Sequence, residues 1–371
     1  MRLCFIASGV SIHTKRWVNY FARRGHEVHL ISSSFAEGYE GFDSSVQIHP
    51  LIRLLPQIWM LSGYPSGILW LFQVRRLAKE IEPDIMHAHY IGVPAYLGIA
   101  SGCHPLILSA WGSDILIAPE NSLIYRFLTK QALKRADSII CVSPTLKEEV
   151  IKLGAAPEKV EVIPMGVETQ KFRPALRSNT LLRELGIADS PVVISTRNLR
   201  PIYDVETLIR AIPLVLQQIP EARFIVAGEG EQRAYLENMA QTLGIAYSIR
   251  FVGWIAHHEL PKYLASADVY VSTSLSDSLG LSTLEARASG LPAVVGDLPA
   301  TREWIVDGED GFIVPLRDKQ ALAEGIIRLL EDEGLRKKFG EAGRAIVIEK
   351  AEHEEQMARV ERIYEELICA L

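Results

Sequence analysis

Apolar residues in this chain fall into short unbroken runs, separated by longer stretches in which they recur every three or four positions. The runs of the first half are 3–7, 27–32, 84–89, 105–110, 138–143 and 160–164. Those of the second half are 191–197, 223–228, 249–253, 268–272, 292–296 and 311–315. Continuous rather than alternating runs are how parallel strands covered on both faces read. The stretches between them predict helices. Over 204–218, for instance, Leu208, Ile212 and Val215 share one face with Ile219, and Asp204 is placed to cap the start. Gly25 and Gly290 stand where helices should end. This repeated strand–helix rhythm predicts an α/β protein of two doubly wound domains. It pauses once, in the polar stretch 165–179. The expected division is therefore 1–170, 171–350 and a helical tail, 351–371, that is longer than a second domain needs and is expected to pack back on the first.

Composition agrees with two soluble-type domains: 371 residues, 48% hydrophobic and 23% charged. Disorder, collagen and coiled coil are excluded as readings of the whole. Residues 1–170 hold 16 Lys+Arg against 15 Asp+Glu, whereas the remainder holds 23 against 30. Neither half is basic enough for a nucleic-acid binder. The four cysteines, Cys4, Cys103, Cys141 and Cys369, form no CxxC pair, which argues against a disulfide framework or zinc site and fits a reducing, cytoplasmic compartment. The opening MRLCFIASG reads as a buried strand, because its apolar run is short and His13, Lys15 and Arg16 follow at once. One segment stands apart. Residues 54–72 carry no charge over nineteen positions, yet Pro56, Gly63, Pro65 and Gly67 interrupt them. Either a core helix begins near Ser66, or Trp59, Tyr64 and Trp70 form an apolar platform for a membrane surface or lipid-like acceptor.

Chemistry concentrates in 272–292, STSLSDSLGLSTLEARASGLP. Asp277 lies in the loop after a strand, and Glu285, eight positions on, lies one turn into the next helix. Between them the amides of Ser278 to Ser282, Gly280 and Leu281 included, form a strand-to-helix turn suited to an anion. An anion seat flanked by two carboxylates fits a nucleotide sugar, with diphosphate on the amides and hydroxyls on the acids. The bland alternative makes Asp277 a turn residue and gives Glu285 a surface arginine. GEG at 228–230 lacks the third glycine and the distal acid of a dinucleotide fingerprint. Gly228 reads instead as close backbone approach near the nucleotide, and Trp254 with Ile255 as neighbours of the base. His89 ends a strand on the side where α/β sheets bind ligands, whereas His87 reads as packing and His13 as a helix-start surface residue. DGED (307–310) reads as a surface turn. No DxD or His/Asp ligand set appears, so a reaction without metal is expected, and no cofactor beyond the donor substrate.

The Asp277-to-Glu285 stretch resembles the E-x7-E signature of retaining GT-B glycosyltransferases of the family-4 type (glycosyl transferases group 1), with Asp in the first place. GHEVHLIS (25–32), PDIMHAH (83–89), ADSIICVSPTLKEEVIKLG with VEVIPMGVETQKFRP (136–174), RFIVAGEGEQRAYLE, IRFVGWI, ELPKYLASADVYVS and SGLPAVV are similar to its segments in the same order. The resemblance implies two Rossmann-like domains facing across a cleft, acceptor on the first and donor on the second. It implies a basic pair for the donor diphosphate, the first member being Arg197. Where the second is usually Lys before Gly, this chain has Tyr203-Asp204, so Arg200 supplies the charge or Tyr203 a neutral hydrogen bond. Gly9 matches a glycine turn near the donor. SAWGSDI (109–115) resembles a His-Gly-x-Asp loop, with Trp111 in the His position and Asp114 kept to orient an acceptor hydroxyl.

The activity implied is retaining transfer of a sugar from a UDP- or GDP-linked donor to a glycan, lipid-linked or small-molecule acceptor, by front-face substitution, in cell-surface polysaccharide or glycolipid synthesis. Weak association with the inner face of a membrane is part of that expectation. The alternatives are a GT-B epimerase or sugar-phosphate synthase, and a non-catalytic nucleotide-sugar-binding protein.

Overall fold

The computed structural model describes residues 1–32, 40–52 and 65–370, with the backbone alone at 65–68. Trp59 and Tyr64, two of the three aromatic residues of the expected apolar platform, lie outside the described residues. The remainder of that stretch opens a helix, Pro65–Ile81.

The chain forms two compact units, Met1–Met165 with Gln356–Leu371, and Gly166–Glu355. The first is built on β1 (Arg2–Ala7), β2 (Glu27–Ser32), β3 (Gln47–Pro50), β4 (Ile85–His89), β5 (Leu106–Ala110), β6 (Ser138–Cys141) and β7 (Val160–Val162). The second is built on β8 (Val192–Ser195), β9 (Arg223–Ala227), β10 (Ile249–Gly253), β11 (Val269–Ser272), β12 (Ala293–Gly296) and β13 (Phe312–Val314). Each sheet is wholly parallel among the described residues. The orders are β3-β2-β1-β4-β5-β6-β7 and β10-β9-β8-β11-β12-β13. Both are doubly wound. Strand order reverses between β1 and β4 in one sheet and between β8 and β11 in the other. At those points the loops leaving the strand ends part to opposite faces and leave a crevice.

Every predicted run carries a strand, and the central strands are buried on both faces, whereas β7 and β10, at the sheet edges, are partly exposed. The sequence reading missed β3, whose four residues lie at the sheet edge and stay partly exposed. A side-chain bridge ties it down: His29 Nδ1 and His49 Nε2 lie 3.0 Å apart. The 205–218 helix buries Leu208, Ile212 and Val215 as its periodicity requires. Asp204 precedes it at φ 45°, but its carboxylate accepts from the Thr207 hydroxyl (2.7 Å) instead of capping an amide.

The last helix, His353–Cys369, contributes Met357, Val360 and Tyr364 to the core of the first unit. Tyr364 stacks on Phe21 with centroids 5.1 Å apart, and its hydroxyl hydrogen-bonds His87 Nδ1. Glu361 receives Arg24 at 2.8 Å and His26 at 2.7 Å. Asp310 corrects the surface-turn reading of 307–310. It is buried, and pairs at 3.3 Å with the fully buried Arg287.

Two buried histidines give the first unit an acid sensitivity. Burial, then the neighbouring His13, pushes His89 down to about 3. Burial, then His89, holds His87 well below its ordinary value. Both pKa values are depressed in the folded state. Below about pH 6.5 the unfolded chain therefore takes up protons that the folded chain refuses. The stability these groups contribute is complete above that pH and falls as pH drops toward 3. Melting temperature should be flat on this account above pH 6.5 and decline below it, and His89→Leu should make the decline shallower. An unchanged slope in the variant would contradict the assignment.

Candidate functional site

In the second unit four loops meet at the β8/β11 reversal. The loop after β8 carries Arg197 into a buried position. Its Nη1 donates to Ser282 Oγ (2.6 Å), its Nη2 to Asp277 Oδ2 (2.8 Å), and its guanidinium lies 4.4 Å over the Tyr203 ring. Burial disfavours the charge, but Asp277 and the phenols of Tyr270 and Tyr203 outweigh it, so the pKa stands above the ordinary arginine value. The loop is held from behind by Gly228, at φ 121°, where a Cβ would come within 2.6 Å of the Arg197 carbonyl oxygen. Close approach at Gly228 is thus to the backbone of Arg197.

Asp277 is turned onto its own loop. Its Oδ1 accepts from the amides of Ser278 (2.9 Å) and Gly280 (3.0 Å), and Oδ2 takes Arg197. The amides of Ser278 and Gly280, expected to be open to an anion, therefore hold this carboxylate. Gly280, at φ 66°, makes the turn into helix Leu281–Ala288. The first two helical amides, Leu281 and Ser282, donate to nothing among the described residues. The Ser282 hydroxyl accepts from both Arg197 and Tyr270 (2.9 Å), so its lone pairs are filled and its own hydrogen is left to donate. Two amides and one hydroxyl, at a helix start beside a guanidinium, make an anion seat.

Glu285 is buried one turn further on, and its Oε1 lies 3.3 Å from His257 Nε2. The sequence offers Glu285 either ligand hydroxyls or a surface arginine, and no motif in it marks His257 as a neighbour. Its only signal is its position, four residues beyond the end of β10 at the same sheet edge. Trp254, 71% exposed, and Ile255 occupy that loop too. Arg200 is exposed, with no hydrogen bond from its side chain among the described residues, and Tyr203 lies beneath Arg197.

In the first unit the corresponding residues are withdrawn. His89, 1% exposed, sits between Trp17 (4.9 Å), Trp111 (5.1 Å) and Phe5 (5.3 Å), measured between ring centroids. Asp114 is fully buried and accepts from the amides of Ile91 (2.8 Å), Gly112 (2.7 Å) and Trp111 (3.2 Å). Burial raises its pKa against the pull of those amides. The Gly9 amide donates to Ser32 Oγ at 2.9 Å. The Gly9 amide and the Asp114 carboxylate are thus engaged within the unit, and Asp114 sets the Trp111 loop in place, whereas both ring nitrogens of the buried His89 are without a hydrogen-bond partner among the described residues. The partly exposed side chains at this edge are Trp111, with His13 edge-on at 5.7 Å, and Tyr90, whose hydroxyl meets Ser113 at 3.0 Å. Among the described residues no three His, Cys, Asp or Glu converge on a metal position.

Residues 178–346 match the model of the family "Glycosyl transferases group 1", and residues 2–143 that of "Glycosyl transferase 4-like". The chain is 25% identical over 364 residues to the N-acetyl-alpha-D-glucosaminyl L-malate synthase of Bacillus anthracis, covering 94% of this chain and 91% of that one. It is 26% identical over 348 residues to the UDP-Gal:alpha-D-GlcNAc-diphosphoundecaprenol alpha-1,3-galactosyltransferase of Escherichia coli, covering 90% and 88%. The Anabaena protein HepE, solved in complex with UDP-glucose, superposes with a TM-score of 0.83 at 20% identity, over 99% of this chain and 100% of that one. Such likeness shows the fold, which is GT-B.

If Asp277 is the strut of its loop, Asp277→Ala leaves two amides and a buried guanidinium unpaired. Chemical denaturation should then show a loss of about 1–3 kcal/mol. Asp277→Asn, which keeps an acceptor for the amides, should lose less. Unchanged stability in the alanine variant would show that the carboxylate holds nothing up.

Proposed function

This chain belongs to the group 1 glycosyltransferases, and from that premise we propose that it moves a sugar, with retention, from a UDP- or GDP-linked donor to a hydroxyl of a glycan or lipid-linked acceptor. The observation that carries the reading is the anion seat of Leu281, Ser282 and Arg197 with Glu285 one turn behind it. The donor diphosphate lies on the two free amides and the Ser282 hydroxyl. It competes with Asp277 for the Arg197 Nη2. Glu285 takes the ribose diol, supported by His257, and Trp254 offers its exposed ring to the base. Arg200, exposed on the same loop as Arg197, reaches the outer phosphate oxygens.

As the bond from C1 to the phosphate oxygen breaks, its electron pair stays on the diphosphate, which gains a negative charge. Arg197 and the helix start stabilise that growing charge more than they stabilise the bound donor. The acceptor oxygen bonds C1 on the same face, and its proton passes to the departing phosphate oxygen. A guanidinium and a helix dipole thus do the work a divalent cation does elsewhere, so transfer should persist in a chelator. The acceptor is assigned to the first unit, with Trp111 and Tyr90 as its platform. The lipid-linked acceptor is supported by the E. coli relative, whereas the B. anthracis relative carries L-malate in its name. No helix among the described residues is long and apolar enough to cross a membrane. We place the enzyme at the cytoplasmic face of one.

Glu285→Ala should weaken UDP or GDP binding in calorimetry by roughly 1–3 kcal/mol, because ribose hydroxyls lose a buried partner. Arg197→Ala should lower kcat, read as donor hydrolysis, by about 10²–10³ while changing KM little. Unchanged nucleotide affinity in the first variant would contradict the role of Glu285, and an effect on KM alone in the second would contradict that of Arg197.

A further inference from the structure

The helix Leu123–Arg135 of the first unit turns its apolar residues the wrong way for a core. It buries Thr129, Ala132 and Leu133. On the opposite side Leu123 is 83% exposed, Ile124 73% and Phe127 61%, with Leu128 beside them. The spacing i, i+1, i+4, i+5 puts all four on one face. The helix holds four cations, Arg126, Lys130, Lys134 and Arg135, and no acid. None of the four forms an ion pair among the described residues. The helix Val93–Ser101 packs against both this helix and Pro65–Ile81, so the three share one face of the sheet. There Phe72 is also exposed, and Arg75 lines a cavity of about 740 Å³ together with Leu128, Gln131 and Arg135.

We propose that this face, centred on Leu123, Ile124 and Phe127, is a docking surface for an anionic lipid bilayer. Apolar side chains ringed by cations are the chemistry of a helix lying in the headgroup plane: the rings and branches enter the acyl boundary, and Lys and Arg meet the lipid phosphates. A second copy of the chain is disfavoured, since a two-fold contact would set these unpaired cations against themselves. An acidic protein partner would match the charge, but it would need its own apolar strip facing four side chains laid along a single helix. A bilayer supplies both everywhere. The proposal goes beyond the reading of the active site, and its test needs neither donor nor acceptor.

The test is co-sedimentation of the full-length protein with vesicles of phosphatidylglycerol and phosphatidylcholine, against vesicles of phosphatidylcholine alone. At about 50 mM salt the protein should partition onto the anionic vesicles at least roughly tenfold better, and release as salt rises and screening shortens. Ile124→Ser/Phe127→Ser should reduce partitioning roughly tenfold. Lys130→Glu/Lys134→Glu should abolish the preference for anionic lipid. Ile124, Phe127 and Lys134 are exposed and Lys130 is half-buried with no ion pair among the described residues, so melting temperatures and nucleotide binding should be unchanged. Three results would overturn the proposal: no binding of wild type to anionic vesicles, equal binding by the Ser variant, or a self-association that the Ser variant loses while vesicle binding persists.

Discussion

A guanidinium kept out of water at a sheet's reversal point must have a counter-charge, and the second unit is arranged around that requirement. Asp277 supplies the charge, Ser282 a hydroxyl and Tyr203 a ring. Each partner constrains something else. Asp277 can reach Arg197 only because its other oxygen is fixed by the amides of its own loop. Ser282 is fixed in turn by Tyr270, fully buried on β11. Gly228 leaves the Arg197 backbone the room it occupies. The consequence is a pre-set anion seat: two unpaired amides and a hydroxyl hydrogen point where a diphosphate can lie, and little reorganises when charge appears there.

The two units use the same topology differently. In the second, polar groups at the strand ends stay within reach of a ligand. In the first, an aromatic box of Trp17, Trp111, Phe5 and two histidines closes the corresponding position, and the amides of the Trp111 loop are consumed by Asp114. The first unit therefore offers rings and hydroxyls at its edge, whereas the charged groups stand at the strand ends of the second.

Strand positions were legible because parallel strands covered on both faces write unbroken apolar runs. The edge strand β3 escaped because two of its four residues face solvent. Ser282 and Glu285 were legible because they open the helix that follows a strand end, whereas Arg197 was marked only by the family resemblance. Their partners were not legible. An aspartate three residues before a glycine reads equally as a turn and as a ligand, and only hydrogen-bond geometry shows Asp277 serving its loop. His257 sits in a polar loop with no periodicity to mark it. His89 ends its strand at the ligand edge as expected, but the tryptophans that cover it come from elements whose packing no local pattern encodes. The exposed face of Leu123–Arg135 was hidden for the opposite reason: apolar residues at helical spacing read as core.

The central claim is that the amides of Leu281 and Ser282, beside Arg197, receive the diphosphate of the donor. Hydrogen exchange of the peptide spanning 278–288, with and without UDP and GDP, tests it most directly. The account predicts slowed exchange there with a nucleoside diphosphate and little change with the parent nucleoside, because the phosphates fill the seat. Equal protection by the nucleoside, or protection confined to the loops of the first unit, would contradict it.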